Sequence, residues 1–156
     1  MQLSPNFARH EFEHDGCIMP DESVVEAYRR LCTDVLEPLR ARFEESYHIT
    51  SGYRSPEINA RIGGAPSSQH IATADHSASD GYFESHRKDM RTPFDWLRME
   101  SGLAFDQLIL EHGKYGDVLH ISWTRTPRRM ALEGATFNQT AYEARYVAPI
   151  TQAEVT

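Results

Sequence analysis

The first ordered pattern of apolar positions begins after Pro20. Val24, Tyr28, Leu31, Val35 and Leu39 recur at helical spacing, with Val25, Cys32, Leu36 and Phe43 on the adjoining side, which predicts one helix with a buried stripe. Asp21 stands where an N-cap is needed, and Glu22 adds negative charge to the first turn. Pro38 lacks a backbone donor and interrupts the pattern, so a kink or break is expected there. Residues 48–50 read as a short strand leading into Ser51-Gly52-Tyr53-Arg54. Pro56 suits the first position of a short helix over 56–62, ended by Gly63-Gly64.

The stretch 65–79 is small and polar and reads as a loop, with a strand entered at 80–83. A third helix is expected over 93–101, starting after Thr92 and stopping at Gly102. Apolar runs at 105–112 and 118–123 flank a turn at 113–116, a hairpin signal. Residues 129–132 would add an edge strand. There is no internal repeat and no low-complexity tract. The order of elements predicts an α+β domain over 1–147, with a small antiparallel sheet, helices packed on one side and a loosely held tail at 148–156.

Composition narrows the classes. The chain has 156 residues, 40% apolar and 25% charged, which is one domain's worth of globular sequence. Sixteen Lys and Arg against 23 Asp and Glu give a net charge of −7, a poor balance for binding nucleic acid or an anionic membrane. No apolar run is long enough for a transmembrane helix. The first residues, MQLSPNFARHEFEHDG, lack the basic start and apolar stretch of a secretory signal, so synthesis in the cytoplasm is expected. Cys17 and Cys32 are too few for a disulfide framework or a four-Cys zinc site. With eight histidines available, a metal site would have to be built from His and carboxylate.

Three segments concentrate polar residues that packing alone does not require: residues 49–56, Ser68-Gln69-His70 with Asp75, His76 and Asp80, and residues 117–122. Strand alternation puts His120 on one face with Val118 and Ser122. If His70 and Asp80 converge on it, three protein ligands leave a fourth tetrahedral position open, as in catalytic zinc sites. A water bound there would have a pKa near 7.

Over about residues 3–123 the sequence resembles the zinc D-Ala-D-Ala carboxypeptidase family, which includes L-alanyl-D-glutamate endopeptidases of bacterial cell walls and phage lysis systems. The resemblance runs through LSPNFARHEF, LCTDVLEPLRARF, ITSGYRSPEINARIGGAPSSQH, FDQLILEHG and VLHISW. It implies a Hedgehog/D-Ala-D-Ala-peptidase-like fold and zinc held by His70, Asp80 and His120. The family pattern S-x-H-x-x-G-x-A-x-D is matched by Ser68, His70, Ala78 and Asp80, with three extra residues between His70 and Asp80. Asp75 and His76 are therefore rival ligands. The general base implied is a carboxylate shortly before His120: Asp117, which matches the spacing in many members, slightly ahead of Glu111. On a regular strand Asp117 would point away from His120, and only a bulge or turn would bring it back. Glu111 needs a cross-strand neighbour geometry instead. Arg54 matches the arginine that such enzymes place near the substrate carboxylate, and it is equally suited to an ion pair holding its own loop. Ser68 is placed to bind substrate or to orient the loop. Trp96, Trp123 and Phe83 read as core.

The function implied is zinc-dependent hydrolysis of peptide bonds in peptidoglycan stem peptides, by a carboxypeptidase or an endopeptidase. The competing expectation is a non-catalytic phage structural or binding protein on the same fold, with phage-particle proteins as partners. Action at the wall would require a lysis pore, phage-particle delivery or another export route.

Overall fold

A computed structural model describes residues 1–137 and 141–147. The chain opens with a small antiparallel ribbon, β1 (Gln2–Ser4) against β2 (Phe7–Ala8). Helix α1 (Glu22–Leu31) starts as expected, with the Asp21 carboxylate accepting from Val24 N at 3.1 Å. It does not break at Pro38. One wide π-type turn, Cys32–Leu36, leads into α2 (Glu37–Phe43), with Pro38 in its first turn. There the missing N–H costs little, and the wider turn before it relieves the clash of the proline ring with the preceding carbonyls.

The main sheet has six strands: β3 (Tyr47–Ser51), β4 (His76–Phe83), β5 (Gln107–Gly113), β6 (Gly116–Thr124), β7 (Met130–Phe137) and β8 (Ala141–Val147), in the order β3-β4-β6-β5-β7-β8. The α+β class holds, but the sheet is mixed, because β5 and β7 run parallel. The segment expected at an edge, 129–132, is instead the start of an interior strand between β5 and β8. Its entry is fixed by Arg129 N bonding to Phe105 O and Met130 N to Asp106 O. Strand β4 begins at His76, four residues before the expected start. The tail at 148–156 lies outside the described residues.

Two short helices complete the described fold. Helix α3 (Pro56–Arg61) has Pro56 at its start and the Ser55 hydroxyl accepting from Ile58 N. Helix α4 (Arg91–Asp95) passes into a second wide turn, Trp96–Glu100, and the chain leaves at Gly102 with φ 66°.

Helices α1 and α4 pack on one face of the sheet. Leu108, Leu110, Leu119 and Ile121 point to that face and are fully buried with Tyr28, Leu31, Phe83 and Phe94. Two long-range bonds lock α1 to β4: Tyr28 OH donates to Ala78 O, and Ser77 Oγ donates to Ala27 O, both at 2.8 Å. Trp123 is buried as expected, and Trp96 is partly buried against the same core. By alternation, Gln107, Ile109, Glu111 and His120 face the other side, where the loop after α3 borders a cleft.

Candidate metal centre

Two loops and two strands bring the polar segments together. His70 N donates to Ser68 Oγ at 3.2 Å, and Arg54 N donates to His70 O at 2.9 Å, so the SGYRS and SQH segments latch onto each other. His70 Nδ1 lies 2.7 Å from Gly52 O. A carbonyl can only accept, so Nδ1 carries the proton and Nε2 presents its lone pair. Gly52 is required there because a Cβ would collide with the Phe12 backbone oxygen.

His70 Nε2 faces Asp80 Oδ1 at 3.2 Å. Asp80 and His120 are directly opposite on β4 and β6, and His120 Nδ1 lies 3.0 Å from the same oxygen. One ligand atom from each of His70, Asp80 and His120 falls within 4.8 Å of the others. Burial alone would raise the Asp80 carboxyl, but the two imidazoles pull it well below the usual carboxylate range. Burial lowers His70 against the opposing pull of Asp80. Burial works on His120 in the same direction and is the largest single influence, yet the bond to Asp80 and the charges of Asp80 and Glu111 together outweigh it and hold the ring above the ordinary value. Two imidazole nitrogens and one carboxylate oxygen suit zinc, and a carbonyl partner on the far nitrogen of His70 is the usual support for a ligating histidine. His120 Nε2 is buried with no protein partner among the described residues.

The cleft above this group is about 830 Å³, and Arg54, Ser68, Glu111 and Arg128 are among its lining residues. Glu111 faces it because β5 and β6 pair without a bulge. Ile109 lies opposite His120, and Glu111 is its diagonal neighbour. Burial pushes the Glu111 carboxyl up to about 7, with the Asp80 charge adding to the rise.

The same regular register moves Asp117 out of the site. It points to the helix side, where Oδ1 pairs with His112 Nδ1 at 2.9 Å and Oδ2 accepts from Met90 N at 3.0 Å. The bulge that would have returned it is absent, so the candidacy of Asp117 as base fails on geometry. Asp75 pairs with Arg125 on the surface, and the ring nitrogens of His76 face Ile71 O and Thr73 Oγ1. The three extra residues are therefore absorbed by a turn closed by Thr73 N bonding to His76 O. Neither rival joins the cluster.

Arg54 lines the cleft and is tethered to Asp80 Oδ2 at 3.6 Å, Ser51 Oγ and Asn59 Oδ1. It is thus both a loop tie and a cleft wall. Arg128 escaped the sequence reading, because its place in the cleft depends on the parallel β7 that the local pattern does not reveal.

A buried His-Asp-His donor set, open to a cleft and flanked by a carboxyl that titrates near neutrality, is the equipment of a metal-dependent hydrolase. The model of the Peptidase M15 family matches residues 5–115, and the chain belongs to this family of metallopeptidases. The match spans Arg54, Ser68, His70, Asp80 and Glu111, and His120 follows five residues beyond its end. No curated protein and no solved structure matches the chain.

Proposed function

We propose that the protein is a zinc-dependent peptidase that cleaves peptide bonds in peptidoglycan stem peptides at the cell wall. The observation that carries this reading is the convergence of His70, Asp80 and His120 beneath a cleft that also holds Glu111. Zinc on those three residues would supply a water acidified to a pKa of about 7 and a Lewis acid for the scissile carbonyl.

The chain's own residues supply the rest. Glu111 takes a proton from the attacking water and delivers it to the leaving amine, a role suited to a carboxyl with a pKa of about 7. Asp80 sets one carboxylate oxygen against both imidazoles, which completes the donor set. The Gly52 carbonyl keeps His70 in the tautomer that offers Nε2. Arg54, anchored at three points, presents a fixed guanidinium to a substrate carboxylate. Ser68 keeps the His70 backbone in place.

Incubation of the zinc-loaded protein with purified peptidoglycan, followed by mass spectrometry of the soluble products, tests the reading. Release of peptides or D-alanine that stops with a chelator and with His120→Ala is expected. Equal release by His120→Ala would sink it. The product masses separate carboxypeptidase from endopeptidase.

A further inference from the structure

The cleft continues past the metal-binding group, across β5, to Leu132 on β7 and to Arg128 on the crossover that leads into β7. Two strand spacings separate β6, which carries His120, from β7, roughly 10 Å, or about three residues of extended peptide, and Arg128 precedes Leu132, the β7 residue level with His120, along the chain, so three residues is the least span. At that far end Arg128 is held rigidly. Its Nε and Nη2 grip the two oxygens of Asp106 at 3.0 and 2.7 Å, and its backbone N donates to Asp106 Oδ1 at 3.0 Å. Asp106 is buried and also accepts from Gln69 Nε2 at 2.8 Å, which ties the crossover to the loop carrying His70.

Two-point pairing fixes the guanidinium plane and leaves Nη1 without a protein partner among the described residues, in a side chain that is half exposed. A pre-set, always charged N–H edge loses little entropy on meeting an anion. Arg54 and Arg128 are the two cationic side chains lining the cleft among the described residues, in a chain of net charge −7. Arg54 lies against Asp80 on β4, and Arg128 lies at the β7 end.

We propose that Arg128 is a specificity-determining residue that binds a second, internal carboxylate of the substrate, three or more residues from the bond that is cut. The site would select an acidic peptide over its carboxamide counterpart. This rests on the peptidase reading above, but its test does not need turnover.

The probes are L-Ala-γ-D-Glu-L-Lys-D-Ala-D-Ala and two singly amidated forms, one at the D-Glu α-carboxyl and one at the C-terminus. Binding is measured by calorimetry to the zinc-loaded full chain carrying Glu111→Gln, so that no cleavage intervenes. The parent peptide should bind about tenfold more tightly than the D-Glu amide, as expected for one charge-assisted hydrogen-bonded contact. Adding Arg128→Gln should erase that difference and leave any preference at the C-terminus in place. Arg128→Lys, which keeps the charge and loses the fork, should recover only part of it. Thermal melts identify a variant that has lost its fold, and Arg128→Lys then decides alone. Equal binding of parent and D-Glu amide, no binding of any probe, or discrimination that survives loss of the Arg128 fork overturns the inference. Failure of the unsubstituted enzyme to cut a peptide that it nonetheless binds selectively would overturn the peptidase reading instead.

Discussion

The two faces of the β5–β6 hairpin carry nearly the same chemistry and use it differently. Towards the cleft stand Glu111 and His120, with Asp80 alongside on β4. Towards the helices stand His112 and Asp117, with Glu133 alongside on β7. Glu111 and His112 are sequence neighbours, and a one-residue step sends them to opposite faces. On the helix side every group is used up by another. His112 lies between Asp117 Oδ1 at 2.9 Å and Glu133 Oε2 at 3.0 Å, and Arg91 from α4 grips both Glu133 oxygens. On the cleft side the two imidazoles meet at one oxygen of Asp80, and Glu111 faces the cleft with a carboxyl raised by burial. Acidic residues and histidines side by side are therefore not enough to make a metal centre. Convergence on a point makes a donor set fit to hold a metal, and a chain of paired charges makes a clip that ties β5, β6, β7 and α4 together.

The contrast can be stressed from either side. Among substitutions that act on the scaffold, the larger effect is expected on the cleft side from Gly52→Ala. The added methyl meets the Phe12 backbone, displaces the carbonyl that orients His70, and should weaken zinc affinity by about 10- to 100-fold, read by competition with a chelating dye. On the helix side, Asp117→Ala leaves the buried Met90 N–H unsatisfied and should cost about 1–3 kcal/mol in denaturant unfolding, with zinc content unchanged. The smallest effect is the pH dependence of the clip. The Glu133 carboxylate, with Asp117 behind it, holds His112 above its ordinary value. The stability from this pairing is full below the free-histidine pKa of about 6.5 and is lost as pH rises through the higher folded value. His112→Ala should therefore lower the melting temperature more at pH 6 than at pH 9. An equal loss at both would remove the charge pairing from the account.

Much of this was legible in the chain. The Asp21 cap, the β5–β6 hairpin and the shared face of His120 with Val118 all follow from local pattern, and the structure agrees. The front of β4 was not legible. His76-Ser77-Ala78-Ser79 looks like a polar loop, yet Ser77 and Ser79 are buried, and Ser77 satisfies its hydroxyl on α1, fifty residues earlier in the chain. The parallel placement of β7 was likewise invisible, since no local spacing reports a crossover, and Arg128 went unnoticed with it. Spacing put Asp117 slightly ahead of Glu111 while parity set it against His120, and what sequence could not supply was the regular register that sends Asp117 to the helix side and Glu111 to the cleft.

The central claim is that the cleft face, and not the helix face, carries the catalytic base. Turnover of a stem peptide by Glu111→Gln and Asp117→Asn, each brought to the zinc content of the parent, tests it most directly. The account predicts a fall of about 10²- to 10⁴-fold for Glu111→Gln and a rate within about threefold of the parent for Asp117→Asn, whose side chain serves only the clip. A large fall in Asp117→Asn with Glu111→Gln near the parent rate would contradict it.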